Sequence, residues 1–311
     1  LPRMAHAAFL IQESGTDFDG QVVVVGGDTE CGDFVCFTSN AEQTVAMDVV
    51  AFDPTQDTFE TIDTLVYGRI GGVPAQLPDG RWAIISGFDE DGGYPVFPYI
   101  FDADGGGVGW ADGGADGREQ HTCASLDVSN GKVLIAGGIV NDELQSEALL
   151  WSDGAGALAT GSLSQARMRH TTTVLPNGNA LFVGGATGQF FDAAGSPLDS
   201  VEMYDADAGT FSDVTPGLDH ARQRHIAVPL SGGEDGVLIC GGVDQPGEAG
   251  TAVLECEVYS VTTGAFESRP GLELVEGGEG MMGVPLEDGS VLLMGGLAGG
   301  QPSDAVHLYY P

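Results

Sequence analysis

Basic side chains are scarce. Ten lysines and arginines stand against 46 aspartates and glutamates, a formal charge of −36, and Lys132 is the sole lysine. A surface this anionic repels phosphate backbones and acidic lipid headgroups, so nucleic acid and membrane surfaces are poor partners. Cations, basic proteins and neutral glycans are left. Long apolar runs are missing as well. Val22–Val25 and Val133–Ala136 are typical, whereas a transmembrane helix needs about 20 such residues, so no membrane insertion is expected. No window keeps a helical period beyond a few residues. Five cysteines occur without a CxxC or HxxxH spacing, which argues against zinc. The sequence opens on Leu1 with no basic-then-apolar leader, as expected of a processed product.

What is abundant is glycine, 50 of 311 residues, without a collagen period. Much of it sits in one recurring element, an apolar run ending in a small-Gly pair. The copies end at Gly27, Gly87, Gly138, Gly185, Gly242 and Gly296. Five follow a turn dipeptide: Asp79-Gly80, Asn130-Gly131, Asn177-Gly178, Asp235-Gly236 and Asp288-Gly289. Such dipeptides favour the positive φ of a tight hairpin. A second apolar run then ends in Phe52, Phe101, Trp151, Tyr204, Tyr259 or Tyr309. Another large apolar residue follows in five units: Phe59, Trp110, Leu158, Phe211 and Phe266. Upstream, strand-like segments such as His170–Leu175 open on R-x-x-H: Arg3/His6, Arg118/His121, Arg167/His170 and Arg222/His225. The second unit keeps Arg69 but has Gly72 in the His slot, and the sixth has Gly278 and Met281.

Four short strands per unit, R-x-x-H, a turn dipeptide, a Gly-Gly pair and an aromatic-Asp pair together resemble kelch repeats. The resemblance covers essentially the whole chain. It implies an all-β fold, a six-bladed kelch-type β-propeller with four antiparallel strands per blade. The propeller would be a single domain over 1–311, with blades near 1–62, 63–113, 114–162, 163–215, 216–270 and 271–311. No run follows Tyr310, so the last blade is expected to be incomplete: either residues have been lost or it has only three strands. Stacking blades buries both faces of each sheet and leaves short edges.

In such a fold the opening strands are innermost, so Arg3, Arg69, Arg118, Arg167 and Arg222 would converge on one channel mouth. With His225 and Glu279 they form a candidate ligand site, and the missing arginine of blade six leaves a gap beside Glu276 and Glu279. The competing reading makes each Arg and His a hydrogen-bonding part of the repeat. Acidic loops offer weak calcium candidates, Asp89, Asp91, Asp102 and Asp104, but none fits the full EF-hand pattern. No other cofactor is implied. Cys31 with Cys36 and Cys240 with Cys256 are expected disulfides and Cys123 a buried free thiol, which points to an extracytoplasmic setting: secreted, periplasmic or cell-surface. The first unit's connection from Asp28 to about Gln43 is the longest and a candidate binding loop.

Kelch resemblance specifies fold and leaves function open. Galactose-oxidase-like chemistry needs a copper site with a Tyr–Cys pair that this sequence does not spell out. No G-x-S-x-G elbow occurs. Six-bladed sugar epimerases match loosely, at Arg167, Arg222, His225 and Glu279. The leading expectation is a non-enzymatic propeller binding a protein or glycan through loops on one face. The alternative is an enzyme acting on a small anionic sugar at the channel mouth.

Overall fold

The computed structural model describes residues 6–12, 18–28, 45–89, 93–102, 106–126, 131–188, 195–231, 235–245, 250–267, 273–298 and 301–311. Arg3, Cys31, Cys36, Asp91 and Asp104 lie outside them. The chain is a six-bladed, all-β propeller, and no helix occurs among the described residues. None is therefore long and apolar enough to cross a membrane.

Blade one pairs Ala7–Leu10, Val22–Val25, Asp48–Asp53 and Thr58–Thr64 in chain order. Blade two uses Val73–Gln76, Trp82–Ile85, Tyr99–Phe101 and Gly107–Trp110; blade three uses Thr122–Ser125, Val133–Ala136, Glu147–Ser152 and Gly156–Ser162. Blade four holds Thr171–Val174, Ala180–Val183, Val201–Asp205 and Thr210–Val214; blade five holds Ile226–Pro229, Gly236–Cys240, Glu257–Ser260 and Ala265–Glu267. Blade six has three strands among the described residues, Met282–Pro285, Val291–Met294 and Val306–Tyr309.

All six aromatics expected on third strands are there. Five share one register against the second strand: Phe52 opposite Val22, Phe101 opposite Trp82, Tyr204 opposite Ala180, Tyr259 opposite Val237 and Tyr309 opposite Val291. The later aromatic then faces the first across the last hairpin. Phe52–Phe59, Tyr204–Phe211 and Tyr259–Phe266 have ring centroids 4.8, 4.9 and 5.5 Å apart, pairs worth about 0.5–1.5 kcal/mol beyond area burial. Blade two breaks this pattern. A register shift after Ile100 sets Trp110 opposite Tyr99, not Phe101.

The chain divides into two compact units. One comprises Leu1–Ile135, Ile139–Asn141 and Ala148–Ala159; the other comprises Ala136–Gly138, Asp142–Glu147 and Thr160–Pro311. Within each, apolar layers fill the space between successive blades. Strand alternation divides residues between layers: Ile84 joins Phe9, Val23 and Val49, whereas Ala83 and Ile85 join Val133, Ile135 and Trp151. In the second unit, Leu181, Val183 and Ile239 form one layer and Leu238, Val258 and Leu293 the next. First strands of successive blades are neighbours within each unit.

The glycine pairs join one blade to the next. The second member donates its N–H to the backbone carbonyl that opens the following blade's first strand. These bonds run from Gly27 to Arg69 (2.7 Å), Gly138 to Arg167 (2.8 Å), Gly185 to Arg222 (2.9 Å) and Gly242 to Gly278 (2.8 Å). The first member sits against the same carbonyl. A Cβ on Gly184 would lie 2.7 Å from the Arg222 oxygen, and one on Gly241 2.6 Å from that of Gly278. Both glycines of a pair have positive φ, 56° and 96° at Gly184 and Gly185, where an L side chain costs about 1–2 kcal/mol.

Cys240 and Cys256 form the expected disulfide, with Cα atoms 4.4 Å apart. Cys123 is a free thiol on the first strand of blade three, partly buried against an apolar layer, and burial raises its pKa.

Replacing Gly184 by Ala should destabilise by more than about 2 kcal/mol, strain and collision together. Gly178 also has positive φ (85°) but has nothing within 4 Å of a built Cβ, so Gly178→Ala should cost about 1 kcal/mol. Urea unfolding of the two variants checks the contrast, and equal losses would refute the close-approach argument. Replacing Cys240 and Cys256 by alanine, which opens a link between positions 16 apart, should cost about 3 kcal/mol in the same assay.

Candidate functional site

The described arginines of the R-x-x-H element are buried. Arg69 is 1% exposed, and Arg118, Arg167 and Arg222 are 0% exposed. Each guanidinium is used inside its own blade. Arg167 donates through Nη1 to the Gly184 (2.9 Å) and Ser200 (3.1 Å) carbonyls and through Nη2 to Glu202 Oε1 (2.6 Å). Arg222 repeats this with Gly241 (3.1 Å), Glu255 (2.9 Å) and Glu257 Oε1 (2.6 Å). The second oxygens of Glu202 and Glu257 accept the backbone N–H groups of Ser164 (2.7 Å) and Asp219 (2.8 Å). Burial depresses both arginine pKa values and the facing glutamate works against it. Arg118 is held by both oxygens of Asp116.

Two histidines of this element, His170 and His225, fill the gap between two glycine pairs. A Cβ on Gly137 would lie 2.6 Å from His170 Cε1, and one on Gly185 2.8 Å from His170 Cβ. His225 sits likewise against Gly184 (3.0 Å) and Gly242 (2.9 Å), with Nε2 2.9 Å from Thr171 Oγ1. Met281 takes the slot in blade six, against Gly241 and Gly296. The residue before each slot has positive φ: Gly71 (68°), Gln120 (54°), Arg169 (56°), Arg224 (56°) and Gly280 (70°). Arg169 reaches Gln223 Oε1 (3.1 Å), and Arg224 reaches Glu279. Glu279 is thus brought to Arg224, which the R-x-x-H pattern had not singled out. The partner glutamates Glu202 and Glu257 were also missed. Their signal is an acid two residues before the third-strand aromatic in blades four and five.

Blade two departs from this scheme. Tyr99 stands where Glu202 and Glu257 stand, and its hydroxyl lies 3.3 Å from Asp63 Oδ2. Arg69 donates only to carbonyls in the described hydrogen bonds, those of Ser86 (2.7 Å), Ile84 (3.4 Å) and Phe97 (2.5 Å), and lies 5.2 Å from the Trp110 ring centroid. Burial lowers its pKa to about 10, opposed by the charge of Asp89; it stays cationic at neutral pH.

Above this arginine lies a cleft of about 370 Å³, lined by Tyr67, Asp89, Tyr94, Pro95, Val96, Phe97 and Trp110. Trp110 comes from the shifted fourth strand and Tyr67 from the connection into blade two. The others belong to the connection between second and third strands. The walls are fixed by contacts to the next blade. Ala115 N–H donates to the Val96 carbonyl (2.6 Å), and the Tyr94 hydroxyl lies 3.3 Å from Glu119 Oε1. Gly117 leaves room for Tyr94, whose Cβ would lie 2.5 Å from a Cβ there. Tyr67 and Trp110 contact each other at 5.8 Å, and Phe88 meets Tyr94 edge-on at 5.6 Å. Tyr67, Val96, Phe97 and Trp110 remain 38–48% exposed. Only part of a signal lies in the sequence: Tyr94-Pro-Val-Phe-Pro98 is an apolar stretch that follows Asp89-Glu90-Asp91 in the same connection.

Asp89 accepts the Gly93 N–H at 2.6 Å through Oδ1, and Asp102 pairs with Gly106 through its backbone N–H. No group of three or more His, Cys, Asp or Glu side chains able to hold a metal occurs among the described residues. No protein-family model matches the chain, and no curated protein matches it.

His121 and His225 supply a pH test of the inter-blade packing. Burial, with a smaller contribution from Arg118 or Arg222, lowers each to about 3 from an ordinary 6.5. Above 6.5 both folded and unfolded chains carry neutral rings. Below it the unfolded chain takes up protons that the folded one refuses, so stability is lost as pH falls toward 3. The urea midpoint should drop between pH 7.5 and 5.5, where carboxylates still stay ionised. A flat or rising midpoint would contradict it.

Proposed function

We propose that this chain is a kelch-type propeller with a non-enzymatic role, binding a protein or glycan through its loops. The observation that carries the reading is the division of labour among its side chains. The repeated Arg and Glu groups are consumed within their blades and His170 and His225 between blades, whereas blade two leaves the Tyr67, Phe97 and Trp110 rings exposed at a cleft. Apolar concave surface with few polar groups is the usual form of a recognition site. The repeated R-x-x-H, turn dipeptide and Gly-Gly elements support the kelch assignment. The Cys240–Cys256 bridge supports an extracytoplasmic setting, since such bonds persist in oxidising compartments.

The test is capture and glycan-array screening with native protein, run beside Tyr67→Ala. Tyr67 is 48% exposed, so its removal should leave the urea midpoint nearly unchanged. Bound partners should lose at least about tenfold in affinity, or ~1.4 kcal/mol. Partners retained equally by both proteins would remove the cleft from the function. Turnover of a small anionic sugar would overturn the non-enzymatic reading.

A further inference from the structure

The hydrogen-bonding groups of the blade-two cleft indicate what it binds. Its acceptors are engaged. The Val96 and Phe97 carbonyls accept from the Ala115 N–H and Arg69 Nη2, Asp89 Oδ1 accepts the Gly93 N–H, and the Tyr94 hydroxyl is turned to Glu119. Two side-chain donors are not engaged. The Tyr67 hydroxyl and the Trp110 indole N–H make no hydrogen bond among the described residues, and both rings line the opening. A fitting ligand therefore brings acceptors and apolar rings, with few donors of its own. A neutral glycan carries many hydroxyl donors, and these would compete for acceptors already in use. A run of prolines matches. It has no backbone N–H, and as a polyproline II helix it leaves its carbonyls free of internal hydrogen bonds. Its conformation is already fixed, so little entropy is lost when it docks against aromatic walls. Charge selects the flanks, because a chain of charge −36 draws in basic segments and repels acidic ones.

Building on the binding role above, we propose that the blade-two cleft receives a proline-rich segment of a partner protein, flanked by basic residues. Its prolines pack on the exposed Tyr67, Phe97 and Trp110 rings, and its carbonyls accept from Tyr67 and Trp110. Arg69, 5.2 Å from the Trp110 ring centroid, backs that ring from inside the blade. The contacts of Tyr94 and Val96 to the next blade hold the other wall. The basic flanks meet the acidic surface at long range and require no carboxylate of the cleft.

The test is calorimetric titration of the native protein, in about 0.15 M salt, with acetyl-Pro-Pro-Pro-Pro-Pro-Pro-Arg-Arg-amide and the same peptide with alanine in place of every proline. The proline peptide should bind at least about tenfold more tightly. Tyr67→Phe, which keeps the ring and removes the hydroxyl, should weaken it about threefold or more, and Trp110→Ala about tenfold or more. Glu60→Gln, which removes one exposed charge elsewhere on the same unit, should leave it unchanged. Equal binding of the alanine peptide would mean diffuse attraction between opposite charges and would overturn the proposal. So would full affinity in both Tyr67→Phe and Trp110→Ala. Failure of the proline peptide, together with Tyr67-dependent binding of a neutral oligosaccharide, would overturn it while the binding role stood. If no probe and no captured partner responded to Tyr67→Ala, both readings would fall.

Discussion

The structure depends on one hydrogen bond made at five junctions among the described residues, from the second glycine of a pair to the carbonyl at the head of the next blade. It requires two successive residues at positive φ and a backbone approach that leaves no space for a Cβ. It also requires the accepting carbonyl to stay put, which is the task of the arginine carrying it. The guanidinium of Arg167 or Arg222 reaches into its own blade and grips two carbonyls and a glutamate. Blade six shows that the backbone is the essential part. Gly278 has no side chain, yet its carbonyl accepts from Gly242 at 2.8 Å. Blade two shows the limit. Ser86 replaces the first glycine at φ 51°, and the bond from Gly87 to Arg118 is the longest of the set at 3.3 Å. The Ser86 hydroxyl donates to the Asp116 carbonyl at 2.9 Å, adding a tie across the same junction.

Burying a cation at the head of four blades is costly, and a chain of charge −36 has few cations to spend there. The cost is offset because almost every polar group involved finds a partner. Glu202 and Glu257 each bridge an arginine and the N–H of the segment that leads into the blade, Ser164 and Asp219. One carboxylate thereby fixes a strand, a guanidinium and a loop together. Removing only one partner of such a set strands the others without water, at about 3–5 kcal/mol. The same closure explains why these residues offer a ligand little. Their hydrogen-bonding capacity is already taken up inside the repeat.

The repeat was legible in the sequence because its causes are local. A turn dipeptide, an alternating apolar run and a glycine pair each act within a few residues, so six aromatics are assignable to third strands from the sequence alone. The Cys240–Cys256 bridge followed from the adjacency of second and third strands. The partners of the arginines were not legible in this way. Glu202 and Glu257 lie 35 residues beyond Arg167 and Arg222, and nothing in the intervening chain announces that the two ends meet. Repetition places the arginine element at the head of the first strands but does not tell which way its side chains point. The cleft was hidden for a further reason. It needs the register shift after Ile100, the carbonyls of Val96 and Phe97, and glycines 114 and 117 at the edge of the next blade, a combination that no short motif encodes.

Several departures from the repeat coincide in blade two, and their coincidence has a physical meaning. Blade two lacks the His at Gly72, the first glycine at Ser86, the glutamate at Tyr99 and the regular pairing of its last hairpin. Each loss alone would weaken the junction. Together they free Trp110 from the position its counterparts hold against the third-strand aromatic, and they leave Arg69 beneath it without the glutamate found in blades four and five. A chain in which local preference, packing and polar satisfaction agree over most of the fold tends to break that agreement where function requires it. The alternatives, drift or a defect of the blade, would leave a loosened wall. The walls are instead tied to the next blade through Ala115, Glu119 and Gly117. A preorganised cleft built from the exceptions to a repeat is the arrangement expected when recognition is layered onto a scaffold whose regular residues are already occupied.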